Sequence, residues 1–225
     1  STHRLLAVDE FTEAWNAFGS EDADLAFARL SVAPSSFFDE ILLNTYASTG
    51  ETATIESSSG AEGERSARLA RATFRATLNS KRGKEFRWLM EKQFGGEASG
   101  SFARSYLLDE PIRVFGNADP ERTDMLMEYF VPCEKFSAFV KAAREILAND
   151  AEELLNVTIR SVSKDQDTAL PYAKTDSFGF VMLFNVERSA EGSASLKDRA
   201  NRLIEAALAL GGSFYLPYWS YATPQ

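Results

Sequence analysis

The stretch LLNVTIRSV, residues 154–162, alternates apolar and polar side chains with the two-residue period of a strand that buries one face. Its apolar members at positions 155, 157 and 159 are expected to face a core. The polar members Asn156, Thr158 and Arg160 are expected on the opposite face. The stretch therefore predicts an amphipathic strand whose polar face is not used for core packing.

Two strands that are apolar on both faces flank this stretch along the chain. They are MLMEYFV, residues 125–131, and FGFVMLFN, residues 178–185. Apolar residues recur at helical spacing over 134–148 and 194–210, and a short last strand, SFYLPY, is expected at 213–218. The order strand, helix, strand, strand, helix, strand predicts an α+β protein with a ferredoxin-like βαββαβ antiparallel sheet and both helices on one face.

This topology predicts how exposed each strand should be. The first and third strands are central, which fits their apolar character, and the second and fourth are peripheral. Pro217 lies in the fourth strand, where a missing N–H is tolerated at an edge. Gly211 and Gly212 are expected to end the second helix with a left-handed cap. The sheet face opposite the helices would be open, and such a patch is expected to bind something.

Residues 1–120 are expected to form an N-terminal extension of the core at 121–225. Apolar spacing from Val8 to Phe18 predicts a helix, and residues 25–33 predict a strand that ends at a proline. The mixed apolar stretch 35–47 is expected to pair or pack, so the extension should hold helices and one or two strands.

The middle of the extension is polar. Residues 48–64 are rich in turn-forming residues and are expected to form a mobile loop. Residues 65–92 predict a basic helix. This helix is interpreted as a solvated face or a dock for another domain in preference to a membrane-surface contact.

Composition excludes several classes of function. The net charge of −9 argues against nucleic-acid binding, which needs a basic face. With one cysteine, Cys133, and one histidine, His3, expected in a frayed terminus, no disulfide, metal site or Ser-His-Asp triad is expected. No run approaches the roughly 18–20 apolar residues of a membrane span, and no signal peptide is recognised, so a cytoplasmic protein without membrane association is expected.

Five phrases carry a resemblance to a known family. They are RLSVAP (29–34), EYFVP (128–132), LLNVTIRSV (154–162), LPYAKTDSFGFVMLFN (170–185) and ALALGGSFYLPYWSYATPQ (207–225). In their order and spacing the chain resembles FAD-linked oxidases of the vanillyl-alcohol oxidase and p-cresol methylhydroxylase type. It is most similar to the branch of sugar-lactone and alditol oxidases and sterol Δ24-reductases.

The resemblance implies a protein in two parts. Enzymes of this type bind FAD in one domain, and a cap domain on a ferredoxin-like sheet covers the flavin ring and forms the substrate pocket. This chain resembles the cap only, since no Gly-rich phosphate loop of the family's kind is found. The FAD-binding domain is therefore expected elsewhere in the same polypeptide, and the chain alone is expected to be inactive and not to bind FAD.

Arg160 is the leading candidate for a catalytic and flavin-binding residue. The resemblance places it where relatives carry an acid-x-Arg pattern, with Thr158 in place of the acid, which puts an alditol substrate in doubt. A fixed cation would stabilise the negative charge of reduced flavin. Asn156 and Thr158 on the same face are candidates for binding substrate hydroxyls. The alternative for all three is ordinary strand polarity, with Arg160 in water or in an ion pair.

Further candidates lie at the end of the last strand and in the first. Tyr215, Tyr218 and Tyr221 form a tyrosine cluster that could bind substrate or transfer protons, and Tyr218 is preferred as catalytic because it aligns with a basic pocket residue of relatives. Packing is the alternative for the other two. Glu128, in a central strand, must be paired or functional because an isolated buried charge is costly. Pairing with Arg160 or another cation is favoured over a substrate-binding role.

Two classes of function remain open on the sequence. In the first, the whole polypeptide transfers hydride between an alcohol, lactone or alkene substrate and flavin, and the cap fixes geometry and excludes water. In the second, the domain is a non-enzymatic ligand-binding or dimerising module, since fold alone does not settle function. Its exposed sheet face could then pair with a second copy.

Overall fold

The computed structural model describes residues 2–18, 24–48, 75, 80–94, 117, 119–149, 151–169, 171–216 and 221–222. Within these ranges the chain forms seven strands and four helices whose bounds are described. In chain order they are β1 (Thr2–Ala7), α1 (Phe11–Phe18), β2 (Leu25–Leu30), β3 (Glu40–Tyr46), α2 (Lys81–Phe94), β4 (Arg122–Pro132), α3 (Phe136–Leu147), β5 (Leu154–Val162), β6 (Ser177–Glu187), α4 (Ala190–Ala209) and β7 (Ser213–Phe214).

All seven strands belong to one antiparallel sheet in the order β1-β3-β2-β5-β6-β4-β7. The chain is therefore an α+β protein. β4 and β6, the two strands that are apolar on both faces, pair along their whole length from Arg122 opposite Glu187 to Pro132 opposite Ser177. β5 pairs with β6 on the far side, with Thr158 opposite Val181 and Arg160 opposite Gly179.

The sheet is larger than the four strands that the sequence predicts, and this is a correction. β1, β2 and β3 continue it beyond β5, because β2 pairs with β5 through Ala28 to Leu30. Strand β5 was predicted at an edge, but its outer N–H and C=O groups would there be open to unwanted pairing. In its described residues the extension contributes three strands, where one or two were expected, and they join the core in one continuous sheet.

The first strand has no counterpart in the prediction. His3 was expected in a frayed terminus, yet it lies in β1 in register with Asn44 of β3. Most of β1 is exposed, and among its residues only Leu6 is buried. A strand with so little burial has a weak apolar pattern, which is why the sequence does not reveal it.

The main core lies between the sheet and a layer of helices α1, α3 and α4. Phe136 and Phe139 of α3 contact the ring of Phe180 on β6, with centroids 5.3 and 4.7 Å apart. Phe11 of α1 packs on Phe136 at 4.6 Å, so α1 joins the same layer. The Arg199 guanidinium of α4 lies 5.9 Å from the centre of the Phe184 ring.

Helix α4 ends at the two glycines that the sequence indicates. Gly211 has a φ of 79°, the left-handed conformation that favours glycine. Its N–H donates to the Leu208 carbonyl, and the Gly212 N–H donates to the Ala207 carbonyl, which is a Schellman motif. The strand after these glycines has only two residues, Ser213–Phe214, so the predicted range 213–218 was too long. Pro217 lies outside the described residues.

The opposite sheet face was expected to be bare, and this is a second correction, because helix α2 covers part of it. Trp88 packs there with Ala33 and Leu42. At the other end of the same face Arg75 forms an ion pair with Asp124 of β4. A buried indole and a cluster of charged side chains explain why the sequence did not show α2 to be a packed helix.

Much of the middle of the chain carries no structural description. Beyond Ser48, the predicted mobile loop at 48–64 lies outside the described residues, and of the predicted basic helix at 65–92 only Arg75 and residues 80–92 are described. In the described parts of the chain, no helix has both the length and the apolar character to cross a membrane.

Candidate functional site

Strand β5 presents its polar residues on the face that α3 and α4 leave uncovered. Val157 and Ile159 are fully buried against the helix layer, whereas Asn156 and Thr158 are half-buried and the Arg160 side chain is 53% exposed. The predicted orientation of these three polar residues is therefore confirmed. A register shift between Leu154 and Asn156 sets this orientation, since an extra residue in a strand reverses the faces of all later residues.

Helix α2 lies on the same side of the sheet as these polar residues, and it holds the irregular start of β5 in place. The Lys84 Nζ, in a buried side chain, donates to the carbonyls of Ala151, Glu152 and Leu154, the last at 2.8 Å. Arg87 Nη2 donates to the Leu155 carbonyl. These cations bind carbonyls of the turn before β5 and of its first two residues, and so they fix where Asn156 begins the polar row.

Burial affects both cations of α2. Loss of solvent, with the charge of Arg87 nearby, lowers the pKa of Lys84 from 10.5 to about 8. Burial likewise lowers the pKa of Arg87 to about 10, although Glu91 opposes this. Their hydrogen bonds to the carbonyls of β5 make both side chains positioning groups on this face.

Arg160 and Glu128 form the ion pair at the centre of the uncovered face. Arg160 Nε donates to Glu128 Oε1 at 3.1 Å, and Nη2 donates to the same oxygen. The Glu128 side chain is only 2% exposed, so the carboxylate sits beneath the half-exposed guanidinium. Glu128 was expected to pair with Arg160 or another cation, and its partner is Arg160.

Gly179 explains how two residues on non-adjacent strands can meet. It is in register with Arg160 on one side and with Phe130 on the other, so the Arg160 side chain crosses β6 at a position with no side chain. A Cβ at this position would stand 3.4 Å from Glu128 Oε1. Gly179 therefore leaves the space that the ion pair uses.

A second polar cluster adjoins the ion pair. Thr158 Oγ1 accepts hydrogen bonds from Asn156 Nδ2 at 3.2 Å and from Arg29 Nη1 at 3.3 Å. Arg29 comes from β2, in register with Thr158, and its nearest acid is Glu91 at 3.8 Å. The structure therefore brings Asn156, Thr158 and Arg160 together on one face and adds Arg29.

Of the predicted tyrosine cluster, Tyr215 and Tyr221 are described, and they meet at one small cavity beside β7. The Tyr215 ring contacts Tyr172 at 6.0 Å, and Tyr172 packs at 4.7 Å on Phe130, which is on the uncovered face. Tyr221 packs against the main core, and burial raises the pKa of its phenol. Tyr218 lies outside the described residues.

Tyr221 also lines a cavity of about 20 Å³ with Tyr215, Ala200 and Ile204. This volume accommodates about one water molecule and no substrate. A pocket of about 240 Å³ lies elsewhere, between the start of α2 and the end of α3, and none of the sequence-predicted site residues lines it.

Sequence reasoning missed several residues of the face. Arg29 could have been found, because in LAFARL it shares the parity of Leu25 and Phe27 and so lies on one face with them. Tyr172, in the loop before β6, and Gly179 carry no periodic signal. Lys84 and Arg87 look like solvated helix charges until their partners on β5 are known.

Other reactive groups in the described chain do not form a site. Burial raises the pKa of the half-buried Cys133 thiol, with Asp176 and Glu134 adding to the effect, so this thiol is kept in its unreactive form. Over the described ranges no group of three or more His, Cys, Asp or Glu residues is arranged to hold a metal ion.

Comparison with known proteins identifies no family for this chain. No family model matches the sequence, and no curated protein matches it. The family resemblance therefore rests on the five sequence phrases, and the geometry of the uncovered face is the structural argument for a function.

Proposed function

We propose that this chain is the substrate-binding cap domain of an FAD-dependent oxidoreductase. Strands β5, β6, β4 and β7 follow one another in the sheet in that order, with α3 and α4 on one face. Numbered along the chain, this order is second, third, first, fourth, and we propose that it represents a ferredoxin-like unit with β1–β3 added at its β5 edge. In this proposal the FAD-binding domain belongs to the same polypeptide.

The observation that carries the proposal is the placement of Arg160. It is a half-exposed cation on the sheet face opposite α3 and α4, anchored by a carboxylate that is almost fully buried. A surface arginine that only serves solubility does not need a buried acid, whose desolvation is costly. An anchored guanidinium that keeps one side open is suited to meet a ligand.

The residues around Arg160 fit a flavin ring. The pyrimidine edge of a flavin displays hydrogen-bond acceptors and becomes more negative on reduction, which matches a guanidinium donor. Val181 and Leu183 of β6 are half-buried on the same sheet face, in register with Thr158 and Asn156, and offer apolar contact. Bound to its own domain, FAD would supply the transfer of hydride to or from the substrate.

The residues of this chain have separate roles in the proposal. Glu128 fixes the guanidinium of Arg160 and reduces its net charge, so it moderates the stabilisation of negative charge. Asn156 and Thr158 orient the substrate by hydrogen bonds, and Tyr215 borders the face with Tyr172. The sheet itself excludes water from the reacting atoms.

The test is the flavin content of the whole polypeptide that contains this chain. The purified polypeptide is expected to be yellow, to release one FAD per chain on denaturation, and to lose colour when a substrate reduces it. The 225-residue chain, mixed with FAD and desalted, is expected to remain colourless.

Two results would contradict the proposal. One is a whole polypeptide that purifies without flavin and does not take it up when FAD is added. The other is tight stoichiometric binding of FAD by the 225-residue chain alone, since the flavin-binding surface would then lie within it.

A dimerising module is a second candidate, favoured by one observation on α2. Phe86, Leu89 and Met90 are exposed on the outer side of this helix by 55%, 54% and 39%. Apolar side chains clustered in this way are typical of interaction surfaces. Light scattering tests it: a dimer of the chain that becomes a monomer in Leu89→Lys, but not in Lys81→Glu, would support this candidate.

A further inference from the structure

Thr158 has only a hydrogen-bond donor left to offer to a ligand. Its hydroxyl oxygen already accepts from Arg29 Nη1 at 3.3 Å and from Asn156 Nδ2 at 3.2 Å. A hydroxyl has two lone pairs and one proton. Because both lone pairs are used, an atom that meets Thr158 from the open side must be an acceptor.

The Arg29 guanidinium is weakly compensated for a cation that is 18% exposed. Its hydrogen bond to Thr158 is long at 3.3 Å, and Glu91 Oε1 lies 3.8 Å from Nη2. Within the described part of the chain, its buried Nε has no hydrogen-bond partner. A desolvated cation needs close acceptors, so this guanidinium lacks one.

The charge around Arg29 is positive, as expected for a site that lacks a close acceptor. Among the described residues of this region, the four cations Arg29, Lys84, Arg87 and Arg160 outnumber the two acids Glu91 and Glu128. The whole chain carries −9. The face is therefore a locally positive region on an acidic protein, where an anion is attracted and a cation is not.

We infer that Arg29, Asn156 and Thr158 form a binding site for an oxyanion, that is, a carboxylate or a phosphate group. Arginine is the side chain best suited to these groups, since its planar N–H pairs match two oxygens at once. The Thr158 proton and the second N–H of Asn156 Nδ2 supply neutral donors beside it. In the cap domain proposed above, on which this role rests, the oxyanion belongs to the substrate, and its reacting carbon lies toward Arg160.

The experiment is an NMR titration of the ¹⁵N-labelled 225-residue chain with inorganic phosphate and, separately, with acetate. Ionic strength is held constant with chloride, because screening alone moves the resonances of charged residues. One of the two anions is expected to give saturable shifts at the Thr158 amide and the Arg29 Nε–H, with a Kd of about 1–10 mM. The anion that does so identifies the group as phosphate or carboxylate.

Two variants of one position separate the hydroxyl from the fold. Thr158→Val keeps the shape of the side chain and removes the donor, and affinity is expected to fall about tenfold. Thr158→Ser restores the hydroxyl and is expected to bind within about twofold of wild type. Both variants keep a strand-compatible side chain at a half-buried site, and their spectra report whether the fold is retained.

Absence of saturable shifts with both anions would overturn the inference, as would unchanged affinity in Thr158→Val. The titration needs no flavin. A failed titration with a yellow whole polypeptide would therefore refute only the oxyanion site. A successful titration with a colourless whole polypeptide would support the site and refute the cap-domain proposal.

Discussion

Replacing Arg160 is expected to destabilise the protein more than replacing Glu128, although the two side chains form one ion pair. In Arg160→Gln the Glu128 carboxylate, 2% exposed, loses the cation that compensates its burial. Removing one partner of a buried pair costs about 3–5 kcal/mol. Because the Arg160 end of this pair is half-exposed, we expect the lower end of that range, about 3 kcal/mol.

Glu128→Gln leaves the opposite situation. The remaining guanidinium is 53% exposed and can be hydrated, and the glutamine oxygen can still accept its hydrogen bond. We expect a cost of about 1 kcal/mol or less, as for a single hydrogen bond or an exposed pair. In the double variant neither charge is present, so no buried charge is left unpaired. The double variant is therefore expected to be more stable than Arg160→Gln alone.

The assay is urea unfolding of the four proteins with linear extrapolation, which gives a double-mutant cycle. Arg202→Gln is the matched control, because Arg202 is 50% exposed and pairs with an acid, Asp198, that is itself 71% exposed. It is expected to cost less than about 0.5 kcal/mol. Equal costs for Arg160→Gln and Glu128→Gln, or a larger cost for the latter, would refute the asymmetric burial on which the site depends.

Three further perturbations test other parts of the fold by the same unfolding assay. Lys84→Met removes the donor to three backbone carbonyls and is expected to lower the free energy of unfolding by about 2–4 kcal/mol. A decrease below about 0.5 kcal/mol would contradict the claim that Lys84 holds the start of β5. Gly212→Ala is expected to cost about 2 kcal/mol or more, because a Cβ at Gly212 would stand 2.2 Å from a backbone oxygen. Gly211→Ala is expected to cost only about 1 kcal/mol, because the space around Gly211 is open and only its left-handed backbone opposes a side chain. A larger cost for Gly211→Ala would contradict this packing. Burial raises the pKa of Tyr129, so the folded phenol stays protonated while the unfolded phenol ionises near pH 10. Relative to Tyr129→Phe, wild type should therefore lose up to about 1.4 kcal/mol per pH unit above about pH 10, and a parallel pH dependence would argue against this burial.

The sequence predicted the elements of the C-terminal half because their patterns are strong. The alternation in LLNVTIRSV depends on a strand with one buried face, and the ladder of β5 with β6 provides that face. Glycines at the end of α4 mark a backbone conformation that other residues avoid, so Gly211 was found from its type alone. Signals of this kind depend only on neighbouring residues, so they can be read from the sequence without knowledge of the tertiary structure.

The extent of the sheet could not be predicted in the same way. The pairing of β2 with β5 joins residues more than a hundred positions apart, and no local pattern encodes such a partner. A helix was expected in the region of α2, but its packing on the sheet was not, because Lys84 and Arg87 serve as its buried contacts, where an amphipathic helix has apolar ones.

The candidate site was found only in part for the same reason. Asn156, Thr158 and Arg160 are set by the period of one strand, and their shared face was predicted. Arg29 and Gly179 join them through register between strands, which depends on the whole sheet.

The most direct test of the central claim is the reduction potential of the flavin in the whole polypeptide, compared between wild type, Arg160→Gln and the control Arg202→Gln. If Arg160 faces the flavin, its removal takes a cation from beside the reduced ring, and the two-electron potential is expected to fall by about 30 mV or more, equivalent to about 1.4 kcal/mol. The control should leave the potential unchanged. An equal potential in all three proteins would contradict the claim that this face of the sheet covers a flavin.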